Sequence, residues 1–103
     1  MLTAILDGSG RKADPKAMAE VTVRYWAAAK DAAAVPEENV SANTLSEVIE
    51  FICAKRSGDT RFSAVLSRSS FLVNESPVGK RDFSTIVLLP GTVIEVLPAF
   101  AGG

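Results

Sequence analysis

The chain has 103 residues, of which 48% are hydrophobic and 22% charged, and its formal net charge is -1. This predicts one small globular domain and argues against a surface built to attract nucleic acid or anionic lipid. The absence of His removes the commonest general base and metal ligand, and a single cysteine, Cys53, excludes an internal disulfide or a multi-cysteine zinc site. No stretch approaches the roughly 20 apolar residues that span a bilayer. With a lone thiol and no secretory signature, the sequence predicts a cytoplasmic protein.

Residues 1–19 are predicted to form a disordered N-terminal extension. Turn-forming and charged residues follow one another from Asp7 to Pro15 without an apolar period. The folded domain is therefore expected to span residues 20–103 and to end in a flexible Gly102-Gly103 tail.

The first part of this domain predicts a strand, a helical turn and a second, weaker strand. Apolar and polar residues alternate over residues 21–25, which is typical of a half-buried strand. Residues 27–33 are rich in alanine, the best helix former, and precede Pro36, so a short helical turn is expected there. Residues 38–42 contain only Val40 as a clearly apolar residue, so the second strand is the weaker prediction.

The clearest helix is predicted to begin at Thr44. The segment from Thr44 to Glu47 fits a capping box, in which the threonine accepts a hydrogen bond from the glutamate N–H and the glutamate reaches back. Apolar residues then recur with helical spacing as one buried stripe: Leu45, Val48, Ile49 and Ile52. Gly58 supplies a stop. Cys53 lies beside the stripe, and we expect a buried structural thiol.

The second half of the domain is strand-like. Residues 71–73 form a short apolar run that ends in a turn cluster at residues 74–77. Residues 86–89 and 92–97 read as two further strands on either side of the Pro90-Gly91 turn. The order strand, helix, strands predicts an α+β fold with a mixed sheet and one main helix packed on one face.

The most informative stretch is residues 97–103. Gly102 and Gly103 carry no side chains, so they can lie in a narrow tunnel where a Cβ would clash. Residues 100–103 reach at most about 14 Å when extended, which is enough to place a terminal carboxylate in a partner's active site. Two final glycines alone are weak support, since they are also typical of a frayed end or a cloning scar.

The residues before the glycines strengthen the functional interpretation. Ile94 and Val96 share one face of the last strand, and Val93 and Leu97 share the other, whereas an edge strand ordinarily carries more polar positions. One apolar face can fill the core, and the other can cover a neighbouring subunit. Phe100 is a poor choice for a free tail and a good anchor in a hydrophobic pocket.

Trp26 and the scattered basic residues are expected to have structural roles and not functional ones. Trp26, which follows the first strand, is expected to pack across the sheet edge. The scattered basic residues are expected to form a solvated surface, because acidic residues lie between them.

Three segments together resemble a known family. They are residues 21–29, the Thr44-Leu45-x-Glu47 helix start and residues 97–103. They are similar to the small, sulfur-carrying subunit of molybdopterin synthase, in the MoaD-like branch of the ThiS/MoaD ubiquitin-like proteins. The resemblance covers residues 20–103 and implies a β-grasp (ubiquitin-like) fold whose first and last strands are parallel neighbours.

The sequence also departs from the family pattern. Asn74-Glu75-Ser76 stands where many relatives have Asn-Gly, Ala99 stands where a second Pro is common, and residues 57–70 do not match cleanly. These departures concern loop geometry and partner choice more than the chemistry of the tail.

The resemblance implies that the chain is a non-catalytic, sulfur-donating cosubstrate. An E1-like adenylating enzyme would couple the Gly103 carboxylate to AMP, and a sulfurtransferase or other sulfur donor would convert it to a thiocarboxylate. The large catalytic subunit of molybdopterin synthase would then receive the sulfur for the molybdopterin dithiolene. ATP-Mg and the pterin precursor would belong to the partners, so this chain is expected to bind no cofactor or metal of its own.

The same resemblance assigns roles within the tail. Gly103 would carry the adenylate and then the sulfur, and Gly102 would allow passage. Partner contacts are expected from Leu97, Pro98, Phe100 and Ala101. Neither nucleic acid nor a membrane is expected as a partner.

Several alternatives stay open at this stage. A sulfur carrier for thiamine or cysteine biosynthesis would use Gly103 in the same way. A ubiquitin-like modifier would instead be joined to lysines by an isopeptide bond. In a plain interaction module the two glycines would be incidental.

Overall fold

The computed structural model describes residues 18–99. Its elements in chain order are β1 (Ala19–Tyr25), α1 (Ala27–Ala33), β2 (Glu37–Ala42), α2 (Leu45–Lys55), α3 (Thr60–Ser67), β3 (Ser69–Val73), β4 (Ser76–Pro77), a 3-10 turn (Phe83–Thr85) and β5 (Val93–Pro98). The predicted N-terminal extension lies outside the described residues except for Met18 and Ala19, and the second of these begins β1. Residues 100–103, which include the predicted Gly102-Gly103 tail, also lie outside them.

The strands form one mixed sheet in the order β2-β1-β5-β3-β4. β1 and β5 are parallel, with Val23 opposite Ile94, and the other neighbours are antiparallel. This confirms the β-grasp fold, including its parallel first and last strands. β5 is a central strand that pairs on both sides, so it has no exposed edge that polar residues would have to blunt. The apolar residues on its second face are therefore not explained by its position in the sheet alone.

α2 confirms the predicted capped helix. The Thr44 side chain accepts a hydrogen bond from the Glu47 N–H at 3.2 Å. The Glu47 carboxylate returns to the N–H of Asn43 at 2.7 Å, which satisfies the backbone donor just before the cap. Of the predicted stripe, Leu45, Val48 and Ile52 are buried, and Ile49 is half-buried against the core.

α3 occupies the stretch that the sequence analysis left without an element. Asp59 caps it, and its carboxylate accepts a hydrogen bond from the Phe62 N–H at 2.9 Å. Phe62 and Leu66 are buried, and Val65 packs against the core. This i, i+3, i+4 spacing behind an aspartate is a helix signal that the polar neighbours had obscured.

The predicted strand at residues 86–89 is wrong. This segment runs across the start of α2, where the Leu45 N–H donates to the Ile86 carbonyl at 3.0 Å and the Leu88 N–H donates to the Asn43 carbonyl at 2.9 Å. Only an isolated bridge joins Val87 to Thr44. Leu88 is buried and Ile86 packs against the core, so these two side chains anchor the segment beside the start of α2 without pairing in the sheet. Val87 and Leu89 are exposed.

One sheet face and the helices share a single core. Its largest fully buried side chains are Phe62, Leu45, Ile52, Ile94, Val21, Val23, Val40, Val48 and Val96. Because the buried faces of α1, α2 and α3 belong to this same cluster, the opposite face of the sheet carries no helix within residues 18–99.

A polar cluster joins the sheet to α2 at the rim of this core. The largely buried Glu38 carboxylate accepts hydrogen bonds from Tyr25 Oη and, at 2.7 Å, from Lys55 Nζ, and it pairs with Arg56 Nη2 at 2.8 Å. The Arg56 guanidinium lies over the rings of Tyr25 and Phe62, 5.5 and 4.7 Å from their centroids. Burial, and then the Glu38 carboxylate, raise the pKa of Tyr25. The tyrosine is therefore the hydrogen donor in this cluster.

Candidate functional site

The C-terminal end of β5 is held in place by hydrogen bonds on both sides. Pro98 lies opposite Ser69 in the ladder, and the Ala99 N–H donates to the Arg68 carbonyl at 3.2 Å. On the other side of β5, the Trp26 N–H donates to the Val96 carbonyl at 3.2 Å. β5 is therefore held by β3 and by the end of β1 up to the point where residues 100–103 leave.

The uncovered sheet face presents an apolar strip along its centre. Alternate residues of β5 and β3 point to this face and are half-buried, namely Val93, Glu95, Leu97 and Leu72. In the β3–β5 ladder Leu72 lies opposite Glu95, so the carboxylate is flanked by aliphatic side chains. Aliphatic side chains grouped on a sheet face that no described helix covers form a candidate protein contact surface. We call these four residues together with Trp26 the docking face.

Trp26 extends the docking face at the end of β1. It is 47% exposed, and its indole Nε1 donates to Glu95 Oε1 at 3.0 Å, which holds the ring beside the strip. The next residue, Ala27, has a φ of 48°, a left-handed conformation that costs an L-residue roughly 1–2 kcal/mol. The expectation that Trp26 packs across a sheet edge is only partly met, because its indole contacts Glu95 on the central strand β5 and the residue stays half exposed.

A shallow cleft adjoins this tryptophan. It has a volume of about 220 Å³ and is lined by Arg24, Tyr25, Trp26, Lys30, Pro36 and Glu37. Arg24 pairs with Glu37 at 3.4 Å. The side of the docking face nearest β1 therefore carries a basic rim, and part of its charge is neutralised within the fold.

The predicted site residues divide into two groups. Leu97 is half-buried on the docking face, and Pro98 is buried on the core side, in a groove with Arg61, Arg68 and Ala99. Phe100, Ala101, Gly102 and Gly103 lie outside the described residues. The roles expected for all six stay predictions.

The sequence analysis missed the docking face as a unit. Its members come from β1, β3 and β5, which are far apart along the chain, so only the strand order brings them together. The alternation Val93, Glu95, Leu97 was visible, but Trp26 and Leu72 carried no signal that linked them to it.

Cys53 is half-buried and not fully buried as expected. It lines a groove of about 320 Å³ between α2, α3 and β3. Burial raises the pKa of the thiol, against an opposing effect of Arg56, which disfavours the nucleophilic thiolate.

Two chemical features are absent from residues 18–99. No group of three or more Cys, Asp or Glu side chains is placed to hold a metal ion there. None of the helices in this region is long and apolar enough to cross a membrane.

The fold and the docking face define a class of protein. A five-stranded mixed sheet with parallel first and last strands, helices on one face and an apolar strip on the other is a β-grasp, ubiquitin-like protein. A sequence model of the ThiS family matches residues 23–103. The chain belongs to the ThiS family of ubiquitin-like sulfur carriers.

Solved structures support the same fold. Small archaeal modifier protein 1 from Methanosarcina acetivorans has a TM-score of 0.69 and 22% identity, over 84% of this chain and 98% of that chain. The complex of subunits 1 and 2 of molybdopterin-converting factor from Helicobacter pylori matches with a TM-score of 0.59 and 24% identity, over 82% of this chain and 99% of that chain. No curated protein sequence matches the chain.

Proposed function

We propose that this protein is the sulfur carrier of molybdopterin synthesis, with the Gly103 carboxylate as the group that is activated and sulfurated. The observation that carries the sulfur-carrier part of the proposal is the ThiS-family match, which runs through β5 and on to Gly103 itself. The likeness to the Helicobacter pylori complex supports a large synthase subunit as one partner.

The proposed cycle begins at the terminal carboxylate. A carboxylate is a poor acceptor, so its oxygen first attacks the α-phosphorus of ATP in the adenylating enzyme and pyrophosphate leaves. A sulfur nucleophile at the sulfide level then attacks the acyl carbon and AMP leaves, which produces the thiocarboxylate. In the large subunit the thiocarboxylate sulfur then bonds to a carbon of the pterin precursor and displaces an oxygen substituent there. Water cleaves the acyl–sulfur bond, which leaves the sulfur on the pterin and restores the Gly103 carboxylate. ATP-Mg and the pterin are bound by the partners.

The docking face offers a contact area for a partner, which the short tail alone does not provide. Residues 100–103 reach at most about 14 Å, so the folded domain has to sit directly against the partner that works on Gly103. The half-exposed Trp26 and the apolar strip leading to Leu97 offer the aromatic and aliphatic contacts that stabilise such complexes. The glycines would allow the last residues to pass between partner side chains.

The direct test is the intact mass of the chain after incubation with its adenylating enzyme, ATP-Mg and a sulfur donor. We expect a gain equal to the replacement of one oxygen by one sulfur. The control is a variant lacking Gly103, which should gain nothing. If the partners sulfurate an authentic carrier in the same tube but leave this chain unchanged, the proposal is wrong.

The pathway is tested in a second step. The thiocarboxylated chain is added to the large synthase subunit and its pterin precursor, and the dithiolene product is measured. Sulfuration without dithiolene formation would redirect the proposal to thiamine or cysteine biosynthesis, because these pathways use the same tail chemistry.

Modification of other proteins is the second candidate. The likeness to small archaeal modifier protein 1 favours it, and both functions start from the same adenylate. A modifier would leave covalent conjugates that resist denaturation and reducing agents, with an isopeptide bond from Gly103 to a lysine. A carrier would return to its free carboxylate and leave none.

A further inference from the structure

Among the described residues, most of the exposed large apolar side chains lie at one end of the fold. Within residues 18–99 these side chains are Met18 (56% exposed), Trp26 (47%), Phe51 (47%), Val87 (72%) and Leu89 (69%). Trp26 belongs to the docking face, and the other four are here called the base surface. Single exposed apolar residues are ordinary, whereas a group of them marks a contact site.

The first half of the base surface is a groove beside the edge strand β2. Met18 and Phe51 line it together with Ser41, Glu47 and Glu50, and its volume is about 630 Å³. The groove is therefore apolar at its two large side chains and acidic along the α2 side.

The second half adjoins the first through Asn43. Met18 precedes β1 and falls opposite Asn43, one step beyond the last pair of the β1–β2 ladder. The Asn43 carbonyl accepts a hydrogen bond from the Leu88 N–H at 2.9 Å. Because Leu88 is buried, its neighbours Val87 and Leu89 are left on the solvent side. This is the end where β1 and β5 begin, opposite the end from which Ala99 leaves.

We propose that the base surface is covered by the N-terminal segment of the same chain, with Leu2, Ile5 and Leu6 as its apolar contacts. Residues 1–17 lie outside the described part and join it at Met18, which is itself a member of the base surface. Residues 7–17 separate Leu6 from Met18 and can extend about 40 Å. The connection is therefore long enough to turn back onto the groove.

The sequence of the segment complements the surface it would cover. The three apolar residues recur at i, i+3, i+4, which is the spacing of one helical face. The three basic residues Arg11, Lys12 and Lys16 outnumber Asp7 and Asp14, so the side chains of the segment carry a small net positive charge. This charge is complementary to the groove that Glu47 and Glu50 line. Because the segment is tethered, its effective concentration at the surface is in the mM range, so contacts that would be weak between separate molecules suffice.

This assignment gives the two exposed apolar regions different occupants. The base surface is covered by the chain itself, and the docking face at the centre of the sheet stays available to other proteins. The proposal is independent of the sulfur chemistry, because it concerns the end of the molecule remote from Ala99.

The test uses the full chain with the substitutions Cys53→Ser and Thr3→Cys and a nitroxide spin label on the new cysteine. We expect strong paramagnetic loss of the methyl signals of Met18, Val87 and Leu89 in NMR spectra. The methyl signals of Leu97, at the other end of the sheet, should keep their intensity. Unchanged chemical shifts of the core methyls would show that the labelled chain is folded.

Two further measurements make the result specific. Leu6→Asp in the labelled chain should restore the lost signals, whereas Ala13→Asp, which adds the same charge to the same segment, should not. Mixing spin-labelled chains with isotope-labelled, spin-free chains tests for a second copy as the occupant. Signal loss that appears only in the mixture, or loss spread evenly over all methyls, would overturn the proposal.

Discussion

At the scale of single residues, Glu38 makes the most consequential polar contacts. Its carboxylate joins β2 to β1 through Tyr25 and to the end of α2 through Lys55 and Arg56. Burial alone would raise the pKa of Glu38, but the hydrogen bonds from Lys55 and Tyr25 and the charge of Arg56 outweigh it and hold the pKa below its ordinary value. The charged form is therefore part of the folded state.

We expect this carboxylate to make stability depend on acid pH. Because its folded pKa is lowered, the stabilisation is complete above the ordinary value of 4.5 and is lost as the pH falls through the folded pKa. Glu38→Gln should lower the free energy of unfolding by about 2–3 kcal/mol at pH 7, since Arg56 loses its buried partner. Urea titrations from pH 7 to pH 3 should show this difference shrinking toward the acid end. A constant difference would contradict the assignment.

A second residue, Glu75, is held in an unfavourable backbone conformation. Asn74 and Glu75 have φ values of 48° and 70° in the turn between β3 and β4, which is the type I′ geometry that favours Asn-Gly. Asn74 tolerates this and also accepts a hydrogen bond from the Val93 N–H at 2.9 Å. Glu75 makes no such contact within the described residues.

We therefore expect Glu75→Gly to stabilise the protein by about 0.5–1 kcal/mol. Glycine relieves the strain of the left-handed backbone, and the greater freedom of glycine in the unfolded chain offsets part of this gain. The midpoint of urea unfolding measures the change. Asn74→Gly is the matched control: it removes the bond to Val93 and should give no gain. Equal gains from both variants would show that the hydrogen bond contributes nothing.

At the scale of elements, the sequence predicted helices and strands most accurately where the local residue pattern matches the burial of those residues in the fold. α2 shows this, because its capping box and its apolar stripe both lie within one segment. The segment 86–89 shows the opposite case: its apolar run is read as a strand, yet its hydrogen bonds go to the start of α2, a contact made only after folding. α3 was missed because its buried residues are interleaved with Arg and Ser.

The cap of α3 gives an element-scale prediction. Asp59→Ala should lower the free energy of unfolding by about 1 kcal/mol, because the Phe62 N–H loses its acceptor at the helix start. Asp31→Ala, which removes an exposed carboxylate from α1 without removing a cap, should change it by less than about 0.5 kcal/mol. Denaturant titrations measure both, and amide exchange at Phe62 should quicken only in the Asp59 variant. Matching losses in the two variants would point to net charge as the cause.

At the scale of the whole molecule, the strand order places β5, the last strand in the chain, at the centre of the sheet. Because β5 lies between β1 and β3, the residues that lead into the tail are also the middle of the docking face. The sequence predicted the parallel β1–β5 pair only through a family resemblance. It did not predict the face, since Trp26, Leu72 and Leu97 become neighbours only through that strand order.

This geometry makes Trp26 the sharpest test of the docking face. Truncation of a large aromatic anchor typically costs about 2 kcal/mol or more in binding, so Trp26→Ala should weaken binding to the adenylating enzyme roughly 30-fold, measured by titration calorimetry. Phe51→Ala is the matched control: both residues are 47% exposed, but Phe51 lies on the base surface. The affinity of the Phe51→Ala variant should stay unchanged, because under the proposed function the adenylating enzyme would meet the sheet face beside β5. Equal weakening by both variants, at unchanged thermal stability, would move the partner contact away from the docking face.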